Sequence, residues 1–211
     1  MNVLDEYEQG LPAVKGSFAD LPITTQVQNE LDFWYRTDEE DGKAYPKLKT
    51  YWDYIQFGDN WTPKGTPWSS AFISYQLRNY EFPKQGAHRN YVKDIMDGNN
   101  PSWGAFSIPK TSKLKLEVGN VLIKPRSGDY YNTHGDIIYK IQDGKAYLVG
   151  GNVSNTAKVT KILDVDQKGF VTEPIPNYLI ILKKKSTMNN IAMFAILGLT
   201  ALFIIPKIIK K

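Results

Sequence analysis

Apolar residues recur at two different spacings along this chain, and the change between them divides it. In DLPITTQVQNELDFWYR (residues 20–36), Val27, Leu31 and Trp34 share one face, Asp20 is placed to cap the first turn and Pro22 sits within it. In KLKTYWDYIQF (47–57), Leu48, Tyr51, Trp52 and Ile55 fall at i, i+3, i+4 and i+7, the interval of a helix with one buried face. PWSSAFISYQLRNY (67–80) carries apolar residues on two sides, which predicts a largely buried helix. AHRNYVKDIMDG (87–98) aligns His88, Tyr91, Val92, Ile95 and Met96 in one stripe. The intervening DEEDGKAYP and GDNWTPKGTP read as loops from their charge, Gly and Pro.

After Gly119 the period becomes that of strands. NVLIKPR (120–126) predicts one strand, and DIIYKIQDGKAYLVGGNV (136–153) predicts a hairpin turning at Asp143-Gly144. AKVTKILDVDQKGFVTE predicts a second hairpin around Gln167 to Gly169, and NYLIILKKK a last strand. Helices first and antiparallel strands afterwards define an α+β fold. The expected division is an N-terminal extension with one helix over 1–45, the main domain over 46–182, a basic linker over 183–190 and a final apolar segment over 191–209.

Composition adds an aromatic core, with five Trp, 13 Tyr and nine Phe in 211 residues. There is no Cys, which removes disulfides, thiolate zinc sites and thiol catalysis together. The net charge of +4 is unevenly spread. Six of the 26 basic residues lie at or after Lys183 and none of the 22 acids does, leaving 20 positive against 22 negative charges over residues 1–182. That balance argues against a nucleic-acid partner.

The run from Ile191 to Ile205 contains nothing more polar than Thr200 and spans roughly 22 Å as a helix; extended to Ile209 it approaches the ~30 Å hydrocarbon core. With lysines on both flanks it predicts a transmembrane anchor, with Lys183 to Lys185 at the lipid surface. The acidic opening MNVLDEYEQG has no signal-peptide pattern, so the domain is expected to stay on the side of the membrane where it is made.

Three segments carry candidate chemistry. Ser69 opens the buried helix, where unpaired N–H groups and the helix dipole favour a developing oxyanion, with the N–H of Ser69 or Ser70 as donor. His134 precedes the first arm of the hairpin, and Asn152 ends the second. Pairing about Asp143-Gly144 sets residue n opposite 287 − n, so His134 faces position 153 and lies within about one residue of Asn152. Nucleophile, base and orienting amide follow the logic of a triad. Asp136 shares the strand face of His134. With two His in the chain, a multi-histidine metal site is ruled out, and no cofactor is called for.

These segments resemble the NlpC-type branch of the papain-like superfamily, which includes bacterial cell-wall amidases and endopeptidases. Ser69-Ser70-Ala71-Phe72 stands where that family has a Cys-Ser-Gly-aromatic tetrad, Gly119-Asn120 where it has Gly-Asp, and His134 and Asn152 follow in order. Residues 68–74, 87–91 and 150–152 most resemble a bacterial subgroup with a W-S-A-A-F-I-S motif, an A-H-x-x-Y segment and a G-G-N strand end. The likeness spans residues 50–182.

It implies an N-terminal group of helices packed on an antiparallel sheet and hydrolysis of a peptidoglycan amide bond, with Ser69, His134 and Asn152 catalytic. Trp68, Ser70, His88 and Tyr131 would contact the wall peptide or muropeptide, although an apolar stripe at His88 and aromatic packing at Trp68 also suit plain core roles. Serine in place of cysteine leaves two readings open, an active serine hydrolase and an inactive wall-binding or structural module. With the anchor, the expected settings are the internal membrane of a membrane-containing bacteriophage, where capsid proteins become partners, and the bacterial inner membrane.

Overall fold

The computed structural model describes residues 22–108, 114–126 and 129–185, with only the backbone given for 129–132. Among the described residues four α-helices form where the apolar intervals place them: α1 (Ile23–Trp34), α2 (Ala44–Tyr54), α3 (Ser69–Gln76) and α4 (His88–Met96). Pro22 takes the N-cap position of α1, where its missing N–H costs nothing. The helix over 67–80 is shorter than expected: α3 ends at Gln76 and Arg78–Tyr80 continues as a 3₁₀ turn.

Six strands follow among the described residues: β1 (Trp103–Ser107), β2 (Val121–Arg126), β3 (Asp129–Gln142), β4 (Lys145–Gly150), β5 (Lys158–Asp164) and β6 (Ile180–Lys184). They form one antiparallel sheet in the order β1-β6-β2-β3-β4-β5. β1 is an element that its short, Gly-containing sequence did not announce. The second hairpin is reduced to β5 and a single bridge, Val165 to Val171. β6 runs through Lys183 and Lys184, residues expected to begin a linker.

Both faces of the sheet are covered. Val121, Ile123, Ile137, Val149 and Leu182 meet the helices, where Trp34, Trp52, Trp68 and Phe72 are also buried. Leu122, Ile138, Leu148 and Ile181 point the other way, onto Leu116, Val171, Ile175 and Tyr178. This two-sided burial explains strands that read as apolar runs. α1 supplies Ile23, Val27 and Trp34 to the helix-side core, so the segment expected as an extension packs with the rest.

The transmembrane part of the expected fold is corrected. Among the described residues no helix is long and apolar enough to cross a membrane, and the architecture is four helices packed on a six-stranded antiparallel sheet. The apolar segment 191–209 that prompted the expectation lies outside the described residues.

Candidate active site

Ser69 is the first residue of α3. Two further serines, one turn apart on that helix, fix what faces it. Ser70 Oγ donates to the Gln85 carbonyl at 2.8 Å, and Ser74 Oγ donates to the Pro83 carbonyl at 2.9 Å. These bonds hold the segment leading into α4 against α3, and His88, the first residue of α4, arrives beside Ser69. The distance from Ser69 Oγ to His88 Nε2 is 2.7 Å. One turn along α4, the Tyr91 hydroxyl makes a short hydrogen bond with His88 Nδ1. The pair lies against the backbone of Gly135 on β3, where an added Cβ would run into the Tyr91 hydroxyl and stand 3.0 Å from His88 Nδ1.

His134 does not pair with Ser69. Its Nδ1 accepts from Arg126 at 3.0 Å, because a guanidinium has only donors, and its Nε2 therefore carries the proton shared with Asp136 Oδ1 at 3.2 Å. Both ring nitrogens are engaged, so the expected pairing of His134 with Ser69 is corrected: the imidazole in contact with Ser69 is that of His88. The two imidazoles stand edge to face, 5.2 Å between centroids. Asp136, 0% exposed, also accepts from Thr160 Oγ1 (2.9 Å) and Tyr178 (2.6 Å) and pairs with Lys124 at 3.0 Å. Burial by itself raises the Asp136 pKa. The hydrogen bond and electrostatic attraction of His134, then Lys124 and the Tyr178 hydroxyl, outweigh it and hold the carboxyl well below the usual range.

Asn152 also departs from its expected role. In the orientation that satisfies its amide, Nδ2 donates to Glu39 Oε2 and Oδ1 accepts from the Trp68 backbone N–H, each at 3.2 Å. Asn152 thus anchors the residue before Ser69 rather than an imidazole. Hairpin pairing follows 287 − n at Lys140, Ile141 and Gln142, then shifts by one between Ile138 and Lys140. Gly150 ends β4 beside the other histidine: a Cβ there would stand 2.9 Å from His134 Nε2.

Trp68 is 0% exposed, stacks on Trp34 at 4.7 Å between centroids, and donates Nε1–H to Glu39 at 2.8 Å. Substrate cannot reach it, and the expected stacking role is withdrawn. The Ser70 hydroxyl is likewise spent on Gln85. The Tyr131 side chain lies outside the described residues.

Ser69 and His88 border a cleft of about 310 Å³ whose walls include Trp52, Phe57, Arg89, Arg126 and Thr133. Ser69 is 4% and His88 6% exposed. Burial, followed by the nearby His134 and Arg126, pushes the His88 pKa well below its ordinary value. Burial, then Asp136, pushes the Tyr91 phenol well up, so Tyr91 stays protonated. A neutral imidazole with Nδ1–H directed to the Tyr91 oxygen leaves Nε2 to accept from Ser69.

Tyr91, Arg126, Thr133 and Glu39 are site residues that the sequence reading did not assign. Tyr91 had a visible signal, the i, i+3 spacing from His88; the others are joined to the site by long-range packing. Among the described residues no group of three or more His, Cys, Asp or Glu side chains is arranged to hold a metal ion. In comparisons with known proteins, the chain matches no family model and no curated sequence.

Proposed function

We propose that the protein is a serine hydrolase of amide bonds, with Ser69 as nucleophile, His88 as base and Tyr91 orienting the imidazole. The observation that carries this reading is the 2.7 Å contact between Ser69 Oγ and His88 Nε2 at the edge of a cleft. A serine hydroxyl must lose its proton as it attacks, so a neutral acceptor within hydrogen-bond reach is the first requirement. Oγ bonds to the carbonyl carbon as its proton passes to Nε2. Charge collects on the carbonyl oxygen, facing the N–H groups of Ser69 and Ser70 at the start of α3. The C–N bond then breaks and the amine leaves with the proton from Nε2. Water, deprotonated by Nε2, adds to the acyl-serine, and Oγ leaves with that proton. The balance is one amide and one water to one acid and one amine.

Resemblance of WSSAFIS, AHRNY and GGN to cell-wall amidases and endopeptidases supports a peptidoglycan peptide as the substrate. The test is labelling of the full chain by a fluorophosphonate, read by intact mass, beside clearing of purified peptidoglycan. Wild type is expected to take one label at Ser69 and to clear the wall, and Ser69→Ala to lose both, with turnover down by at least about 10³-fold. Equal clearing by Ser69→Ala removes the proposed nucleophile. The low exposure of Ser69 and His88 favours a second reading, a module that binds muropeptides without turnover. Saturable muropeptide binding with neither label nor clearing would establish it.

A further inference from the structure

One end of the Ser69 cleft carries two features that the hydrolytic step leaves unused. Thr133 is 8% exposed, lines the cleft, and its Oγ1 has no hydrogen-bond partner. A buried hydroxyl left unmatched is destabilising, and a ligand oxygen in the cleft would supply the missing partner. The second feature is Arg126. It ends β2 immediately after a register shift at Pro125, an irregularity of the kind that re-aims a side chain, and Pro125 pairs with Thr133 across the ladder. His134 Nδ1 holds the Arg126 guanidinium at 3.0 Å, and Asp136 in turn holds His134 at 3.2 Å. The buried His134–Asp136 pair thus serves to fix a cation at the cleft.

Arg89, next to His88 and exposed, joins Arg126 in the lining, and among the described residues no Asp or Glu lines the cleft. This arrangement sits in a part of the chain, residues 1–182, where acids outnumber bases. A guanidinium and an unmatched hydroxyl that line one cleft are both donors for an oxyanion.

We propose that this end of the cleft binds a carboxylate, received by Arg126 and Thr133 with Arg89 at the rim, so that the acyl donor cleaved at Ser69 bears a free carboxylate. The identification of that ligand as substrate rests on the hydrolase reading above; the anion site does not. His134 and Asp136 act as positioning residues for Arg126.

Two measurements on the full chain separate these statements. In the first, kcat/KM is compared for p-nitrophenyl acetate and mono-p-nitrophenyl glutarate. Wild type is expected to favour the charged ester by about tenfold, the worth of one charge-assisted hydrogen bond, and Arg126→Gln and Thr133→Val each to shrink that preference through KM for the charged ester. In the second, glutarate is titrated into the Ser69→Ala protein and followed by amide chemical shifts, with Ser69→Ala/Arg126→Gln and Ser69→Ala/Thr133→Val as comparisons. Saturable shifts in the first protein that fade in both doubles support the carboxylate site, even where neither ester is turned over, an outcome that would sink the hydrolase reading alone. Ester turnover with no charge preference, or inorganic phosphate binding more tightly than glutarate, overturns the proposal.

Discussion

The most informative single residue is His88, because its protonation decides what Ser69 can do. The groups that act on it are Arg126, Lys124 and His134, which oppose its protonation, and Asp136, which favours it; burial outweighs them all and leaves the imidazole neutral. Once protonated, Nε2 carries hydrogen and cannot accept from Ser69. The unfolded chain takes up this proton near pH 6.5 and the folded chain only at lower pH, so between those values the unfolded state binds more protons. Stability from this residue is therefore complete above about pH 6.5 and falls as pH drops through the window below it. Thermal melts from pH 7.5 to 4.5 should show a wild-type loss that His88→Gln lacks, and the acid limb of kcat/KM should lie below the ordinary histidine range. Parallel melting curves for the two proteins would show that His88 is not held neutral.

At the level of elements, the site depends on the contact between α3 and the segment entering α4. Ser70 and Ser74 make that contact through buried hydroxyls onto two carbonyls, and both carbonyls lose their partners when the serines are removed. Ser70→Ala/Ser74→Ala should cost about 1–3 kcal/mol by urea unfolding. It should also lower kcat by about tenfold with little change in KM, since His88 would no longer be held at attack distance. Loss of stability with kcat intact would mean that α4 finds its position without the serines.

Elements were also the part of the fold most visible in the sequence. The stripe on α4 set His88 and Tyr91 on one face, and two-sided apolar spacing marked α3 as buried. The hairpin register held for the three pairs nearest its turn and then slipped by one at the irregularity before Lys140, which no local pattern announces. Sequence order put His134 near the site but could not reveal that Arg126 and Asp136 occupy both its nitrogens. Asn152 was legible as a strand-end residue; its partner Glu39 comes from a distant loop. β1 went unseen because WGAFS is short, holds a glycine and pairs with the last strand of the sheet.

That last strand governs the molecule as a whole. β6 is the last strand among the described residues yet lies between β1 and β2, with Leu182 facing the helix-side core and Ile181 the opposite one, both 0% exposed. Neither core is complete until it is inserted, and β2, its neighbour, carries Arg126 at its end while pairing with the strand that holds His134. A sheet closed by its last strand should unfold as one unit, because removing β6 uncovers both cores at once. Leu182→Ala is expected to cost about 2–5 kcal/mol, through lost burial and the cavity left behind. Native-state hydrogen exchange should show that cost equally at the slowest amides of β2, β3, β4 and β6, with the loop over 152–156 exchanging faster throughout. If Leu182→Ala instead loosens β1 and β6 while β3 and β4 keep wild-type protection, the sheet opens in parts. The sheet side of the Ser69 cleft would then rest on the β2–β5 portion alone.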